Sequence, residues 1–177
     1  MGMEPAYAEL TRIVESADTA ALAERFRNAQ PFRHIVIDNV LPPDLLARVM
    51  AQYPGPDADL WYMFRAGTEN RKLQSTRFDD VGPDLRALLD FANAPPFLRF
   101  LEQVTGIEAL LGDAEYKGGG LHQTLPGGHL SMHVDYNFHP TEHWDRRLNA
   151  IFYLNPEWRD EWAGHLELWD PENTHCV

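Results

Sequence analysis

The chain has 177 residues, enough for one domain that buries its own core without staples. Its 15 basic and 27 acidic side chains leave a net charge of −12, which excludes a nucleic-acid binder built on basic patches. A single cysteine, Cys176, excludes an internal disulfide framework. No apolar run reaches the length of a membrane span, and Met1 to Leu10 lacks a basic, apolar signal segment, so the expectation is a cytoplasmic domain with no membrane partner.

The first 112 residues read as helical support. Tyr7, Leu10, Ile13 and Val14 share one helical face, and Asp18 is placed to cap a second helix over residues 20–29. Phe32 to Ile37 is a short β-branched and aromatic run, expected as a strand. Pro42-Pro43-Asp44 opens a helix with Leu45, Leu46, Val49 and Met50 on its apolar side. Pro54 to Arg77 is the least regular stretch and reads as a surface excursion, with Trp61, Tyr62 and Phe64 as anchors of a strand or a lid. Two more helices come next, over residues 83–91 and 95–104, the second stopped by Gly106.

After Gly112 the texture changes to short runs split by glycine, proline and asparagine. Residues 115–117, 120–125, 130–137, 148–154 and 165–169 read as strands, giving a β-rich segment over 113–177 within one domain of 1–177. Seven of the eight histidines lie in this segment. In His133-Val134-Asp135 the alternation of a strand puts imidazole and carboxylate on one face, where they can take adjacent corners of one ion. Such a pair is most of a 2-His-1-carboxylate triad on non-haem Fe(II), although for an isolated His-x-Asp a solvated surface pair is the default. Asn149, Ile151 and Tyr153 share a face of the strand over 148–154. His139 and His143 are four apart, but Pro140 between them and the lack of the Glu of a zinc-protease helix argue against zinc hydrolysis.

The ordered blocks GGGLHQTLPGGHLSMHVDYN, RRLNAIFYLN and EWAGHLELWD closely resemble the Fe(II)- and 2-oxoglutarate-dependent dioxygenases of the prolyl-hydroxylase type. The resemblance implies an α+β fold in which N-terminal helices pack on a double-stranded β-helix, a jelly roll of two sheets. It implies His133 and Asp135 as iron ligands, with Tyr153, Asn149 and Gln123 lining the 2-oxoglutarate site. His165, in Gly164-His165-Leu166-Glu167-Leu168, falls in a structural turn and strand. Fe(II) and 2-oxoglutarate are the implied cofactor and cosubstrate, with ascorbate as an accessory reductant. The implied reaction hydroxylates a prolyl or similar aliphatic carbon of a peptide or small molecule.

The same family places a third histidine ligand and a basic partner for 2-oxoglutarate several strands later. Only 42 residues remain after Asp135, and His175, the one late histidine, is not taken as a ligand. The expectation is therefore a C-terminally shortened jelly roll, its open sheet edges covered by a homodimer mate or another partner. Two other functions stand beside the oxygenase: a non-catalytic binding or scaffold module with a degenerate metal site, and a cupin-like enzyme using another metal.

Overall fold

Five helices form where apolar spacing, prolines and caps place them: α1 (Pro5–Glu15), α2 (Thr19–Asn28), α3 (Pro43–Ala51), α4 (Pro83–Ala92) and α5 (Pro95–Thr105). The computed structural model describes residues 5–117 and 119–177, without the side chains of 64–66; Phe64 as an anchor and Gly118 of the glycine run therefore lie outside the described residues. Asp18 caps α2 by accepting the Ala21 N–H at 3.1 Å. Gly106 ends α5 in the left-handed region, at φ 71°, and its N–H donates to the Glu102 carbonyl at 2.9 Å.

The start of α4 has no cap of its own and is capped from the neighbouring helix. Gln52, just past α3, accepts the N–H groups of Asp84 and Leu85 on its Oε1 at 2.8 and 3.0 Å. Its Nε2 donates to Asp84 Oδ2 at 2.9 Å. One turn earlier Arg48 reaches Glu9, Asp44 and Asp84 at 3.1–3.2 Å, joining α1, α3 and α4. Between the helices Leu45, Val49, Leu85, Phe91 and Val104 are almost wholly removed from solvent.

The sheet has three antiparallel strands in the order β1 (Tyr62–Ala66), β2 (Glu69–Ser75), β3 (Leu121–Leu130). The stretch expected to be a surface excursion thus holds a hairpin. Leu73 and Ser75 of β2 are buried and Lys72 and Gln74 take the other face, so the strand has a single large aliphatic anchor and little β signature in its composition. Gly120, at φ 93°, leads into β3 so close to Ser75 that a Cβ there would lie 2.3 Å from the Ser75 carbonyl oxygen. The register runs Ser75↔Leu121, Gln74↔His122, Leu73↔Gln123 and Lys72↔Thr124, then jumps to Asn70↔His129.

Of the remaining expected strands, 34–37 and 148–154 keep their alternation, and none joins a ladder. Ile35 and Ile37 pack toward the core and Val36 points out, yet the backbone of 34–37 joins no strand; Arg25 donates to the Val36 carbonyl at 2.8 Å instead. Residues 115–117 form a turn. In 148–154 Phe152 and Leu154 pack toward the helical core while Ile151 and Tyr153 are exposed, and the backbone of 131–137 is tied only at its ends, by the Ser131 N–H to the Thr68 carbonyl and the Arg146 N–H to the Asn137 carbonyl, both at 2.8 Å. The run 165–169 gains one bridge, Trp169↔Cys176. The described residues therefore combine helices with one small antiparallel sheet. They do not form the two sheets of a jelly roll, because a ladder needs a second backbone alongside and these runs have at most an isolated bridge. No helix among them is long and apolar enough to cross a membrane.

The joints of this frame can be tested at two residues. Gln52→Ala removes the cap of α4 and should lower stability by about 1–2 kcal/mol in urea unfolding. The second test concerns alkaline pH. Tyr53 donates its O–H to the His122 carbonyl at 2.7 Å, and burial pushes its phenol up from 10.0 to about 12. Stability held by neutral Tyr53 is complete below the unfolded value and is lost as pH rises from about 10 to 12. Tyr53→Phe should flatten part of that decline in unfolding curves measured across this window.

Candidate metal centre

Beyond β3 the Ser131 N–H is held by the Thr68 carbonyl at 2.8 Å, and the chain then presents His133 and Asp135 to one side. His133 Nδ1 lies 2.8 Å from the Ser131 carbonyl oxygen. A carbonyl can only accept, so Nδ1 carries the proton and Nε2 of the neutral ring carries a lone pair. That Nε2 faces Asp135 Oδ1 at 3.2 Å. Two acceptors at this distance need a cation between or beside them, either a second ring proton or a metal ion. Two neighbouring donors on an octahedral ion at about 2.1 Å lie about 3.0 Å apart, close to the separation found.

The second carboxylate oxygen is already engaged. Asn149 Nδ2 donates to Asp135 Oδ2 at 2.5 Å, and an Arg146 guanidinium nitrogen lies 3.5 Å from the same atom. Arg146 also donates to Asn149 Oδ1 and stacks over the Tyr136 ring at 4.6 Å. The Tyr136 O–H in turn donates to the Lys117 carbonyl. Asp135 is thus oriented by its neighbours so that Oδ1 is left for an ion, the usual work of groups behind a metal ligand.

A recess of about 240 Å³ opens beside the pair. His133, Asp135, Tyr136 and Arg146 line one side; Lys72, Gln74 and His122 line the other, with Glu69. Burial, and next the charge of Lys72, push the His122 imidazole below its ordinary value, which keeps it neutral at pH 7.

The expected site residues divide. His133, Asp135 and Asn149 come together. Tyr153 does not line the recess; its ring stands edge-on to Trp158 at 5.9 Å, and burial pushes its phenol up. Gln123 pairs with buried Leu73, so it sits on the opposite face of β3 from the recess, and its neighbour His122 takes the recess position. Alternation carried that signal, since the apolar Leu121 marks the core face and His122 the other. Lys72 and Glu69 were missed with β2 itself. Arg146 carries no sequence signal beyond that of an ordinary ion-pairing residue.

Among the described residues no group of three His, Cys, Asp or Glu side chains could hold a metal. The other histidines are used structurally. His139 is buried and accepts the Thr141 and Glu142 N–H groups on Nδ1, and His165 packs on Trp158. The donor set therefore fits two adjacent corners of an octahedral ion and leaves the rest open.

Residues 119–177 match the 2OG-Fe(II) oxygenase superfamily. The match covers the C-terminal third of the chain and contains His133, Asp135, Arg146 and Asn149. No curated protein and no solved structure matches the chain. The helices, the β1–β2 hairpin and Lys72 lie outside the matched span.

If Asn149 orients Asp135 for an ion, Asn149→Ala should weaken Mn(II) binding about tenfold, with the unfolding midpoint unchanged. Calorimetric titration with Mn(II) checks this, and equal affinity in the variant would remove Asn149 from the centre.

Proposed function

We propose that the chain is an Fe(II)- and 2-oxoglutarate-dependent dioxygenase that hydroxylates a prolyl or similar aliphatic carbon of a peptide or small molecule. The observation that carries this reading is the facing pair of acceptors, His133 Nε2 and Asp135 Oδ1, 3.2 Å apart within the matched segment. The prolyl preference rests on the resemblance of the sequence blocks to prolyl hydroxylases. Bound Fe(II) with 2-oxoglutarate supplies the oxidation, the 2-oxo acid being consumed to succinate and carbon dioxide.

The chain's own part is binding and orientation. His133 and Asp135 hold the ion, and the Ser131 carbonyl keeps the imidazole in the tautomer that can bind it. Asn149 and Arg146 keep Asp135 Oδ2 occupied. Neutral His122 adds no charge to the recess at pH 7. Tyr153, whose phenol burial pushes up, stays protonated beside Trp158.

A second reading has its own observation: two donors are fewer than a tightly held iron needs, which favours a non-catalytic metal-dependent binding module. One experiment separates them. Incubation with Fe(II), 2-oxoglutarate, ascorbate and proline-containing peptides should release succinate only when both iron and 2-oxoglutarate are present. His133→Ala and Asp135→Ala should each reduce that release about 100-fold or more. A protein that binds iron but yields no succinate would support the binding module instead.

A further inference from the structure

We infer that the exposed indoles of Trp158 and Trp162, with Tyr153 at their edge, form a docking site for an extended peptide segment that carries arginine or lysine side chains. Docking there needs neither the ion nor the cosubstrate of the centre, so the inference stands apart from the oxygenase reading above.

The three rings form one platform. Trp158 lies edge-on to Tyr153 at 5.9 Å and to Trp162 at 6.3 Å between ring centroids. Each of the three is nonetheless 41–52% exposed. Tryptophan is among the side chains that lose most by facing water, and a cluster left open presents rings on which a ligand can stack. Among the described residues neither indole N–H is paired with a protein acceptor. Those two donors suit the carbonyls of an extended peptide.

The rim fixes the charge of the ligand. Residues 153–172 hold six carboxylates and one arginine, with no lysine. Glu157, Asp160 and Glu161, which flank the two indoles in the chain, are all exposed. Arg159 shows the chemistry this surface accepts. Its guanidinium carbon stands 5.4 Å from the Trp162 ring centroid, and its nitrogens lie 2.9 Å from Glu157 and 3.8 Å from Glu161. A cation over an aromatic face and answered by carboxylates is held by both. Among the described residues no lysine or arginine stands over Trp158 or Tyr153, and Asp160 has no ion partner. An incoming cation can therefore repeat the Arg159 arrangement on the open half of the platform. A second copy of the chain would set six carboxylates against six, and an anionic lipid surface would meet the same repulsion. A basic segment is the occupant whose charge complements the rim.

The test measures fluorescence anisotropy of labelled octapeptides that alternate serine with arginine, lysine or glutamate. The arginine peptide should bind the full chain about 30-fold or more tighter than the glutamate peptide. It should exceed the lysine peptide by about threefold, because a planar guanidinium stacks on an indole. Trp158→Ala and Trp162→Ala should each weaken the arginine peptide about tenfold at low and at high salt, and Trp158→Phe should recover most of the loss. Asp160→Asn/Glu161→Gln should weaken it about threefold at low salt only. This charge variant keeps every ring, and it carries the test if an indole variant has a lowered unfolding midpoint. Equal binding of the arginine and glutamate peptides overturns the inference, as does full affinity in folded indole variants or in the charge variant at low salt. Wild-type protein that binds none of the peptides also overturns it, and a dimer in sedimentation that Trp158→Ala dissociates would then make a second copy the occupant.

Discussion

The geometry of the centre depends on the pairing of β2 with β3. One face of this pair, Leu73, Ser75 and Leu121, is buried against the helical layer. Period-two alternation then fixes the other face, with Lys72, Gln74 and His122 turned to the recess. Slipping the register by one residue would exchange the two faces, burying a lysine and exposing a leucine. Gly120 helps to hold the register, because the close approach to the Ser75 carbonyl excludes any side chain at that point. Tyr53 adds a second tie, from the turn after α3 to the His122 carbonyl. The helical half thus sets the position of a wall of the site although it supplies none of the candidate metal ligands.

Asp135 has a comparable role on the other wall. Its two oxygens do different work, Oδ2 in the bonds to Asn149 and Arg146 and Oδ1 facing His133. The division matters because an unassisted carboxylate can rotate and offer either oxygen, while a divalent ion gains from a donor already aimed. Residues 131–137 and 148–154 lack a common ladder, so this polar network is the link between them that the structure shows. The chain is acidic overall, yet two cations border the recess. Local placement outweighs net charge in deciding which ligands can approach.

The sequence made some of this legible and hid the rest for physical reasons. Helices were readable because Tyr7, Leu10 and Val14, and Leu45, Leu46 and Val49, repeat at helical spacing and Pro43, Pro83 and Pro95 mark first turns. His133 and Asp135 were readable because two residues on a strand face need no long-range information. The β2 strand was hidden because its inward positions are Leu73 and Ser75, a poor β signature, and Lys72 disappeared with it. Gln123 was off by one position, the error to which period-two reasoning is most exposed when the core face is not fixed first. The run at 34–37 shows the opposite fault: its alternation is real, but alternation reports burial and says nothing of a partner strand.

The two halves are held by different forces, and this bears on what a metal would do. In the helical half large side chains are enclosed, and Phe97 meets Phe152 at 5.6 Å, which attaches the 148–154 run to the helices. In the matched segment Val134 is 94% exposed, and Met132, Ile151, Tyr153 and Leu166 are each more than half exposed. Beyond β3 apolar burial therefore contributes less, and backbone pairing there is confined to the isolated bridges Phe138↔Asp145 and Trp169↔Cys176. The remaining ties are short polar links, among them the His133 Nε2–Asp135 Oδ1 contact at 3.2 Å. An ion held by His133 and Asp135 would add its binding free energy to the folded form, so the order of the surrounding chain would rise with occupancy of the centre.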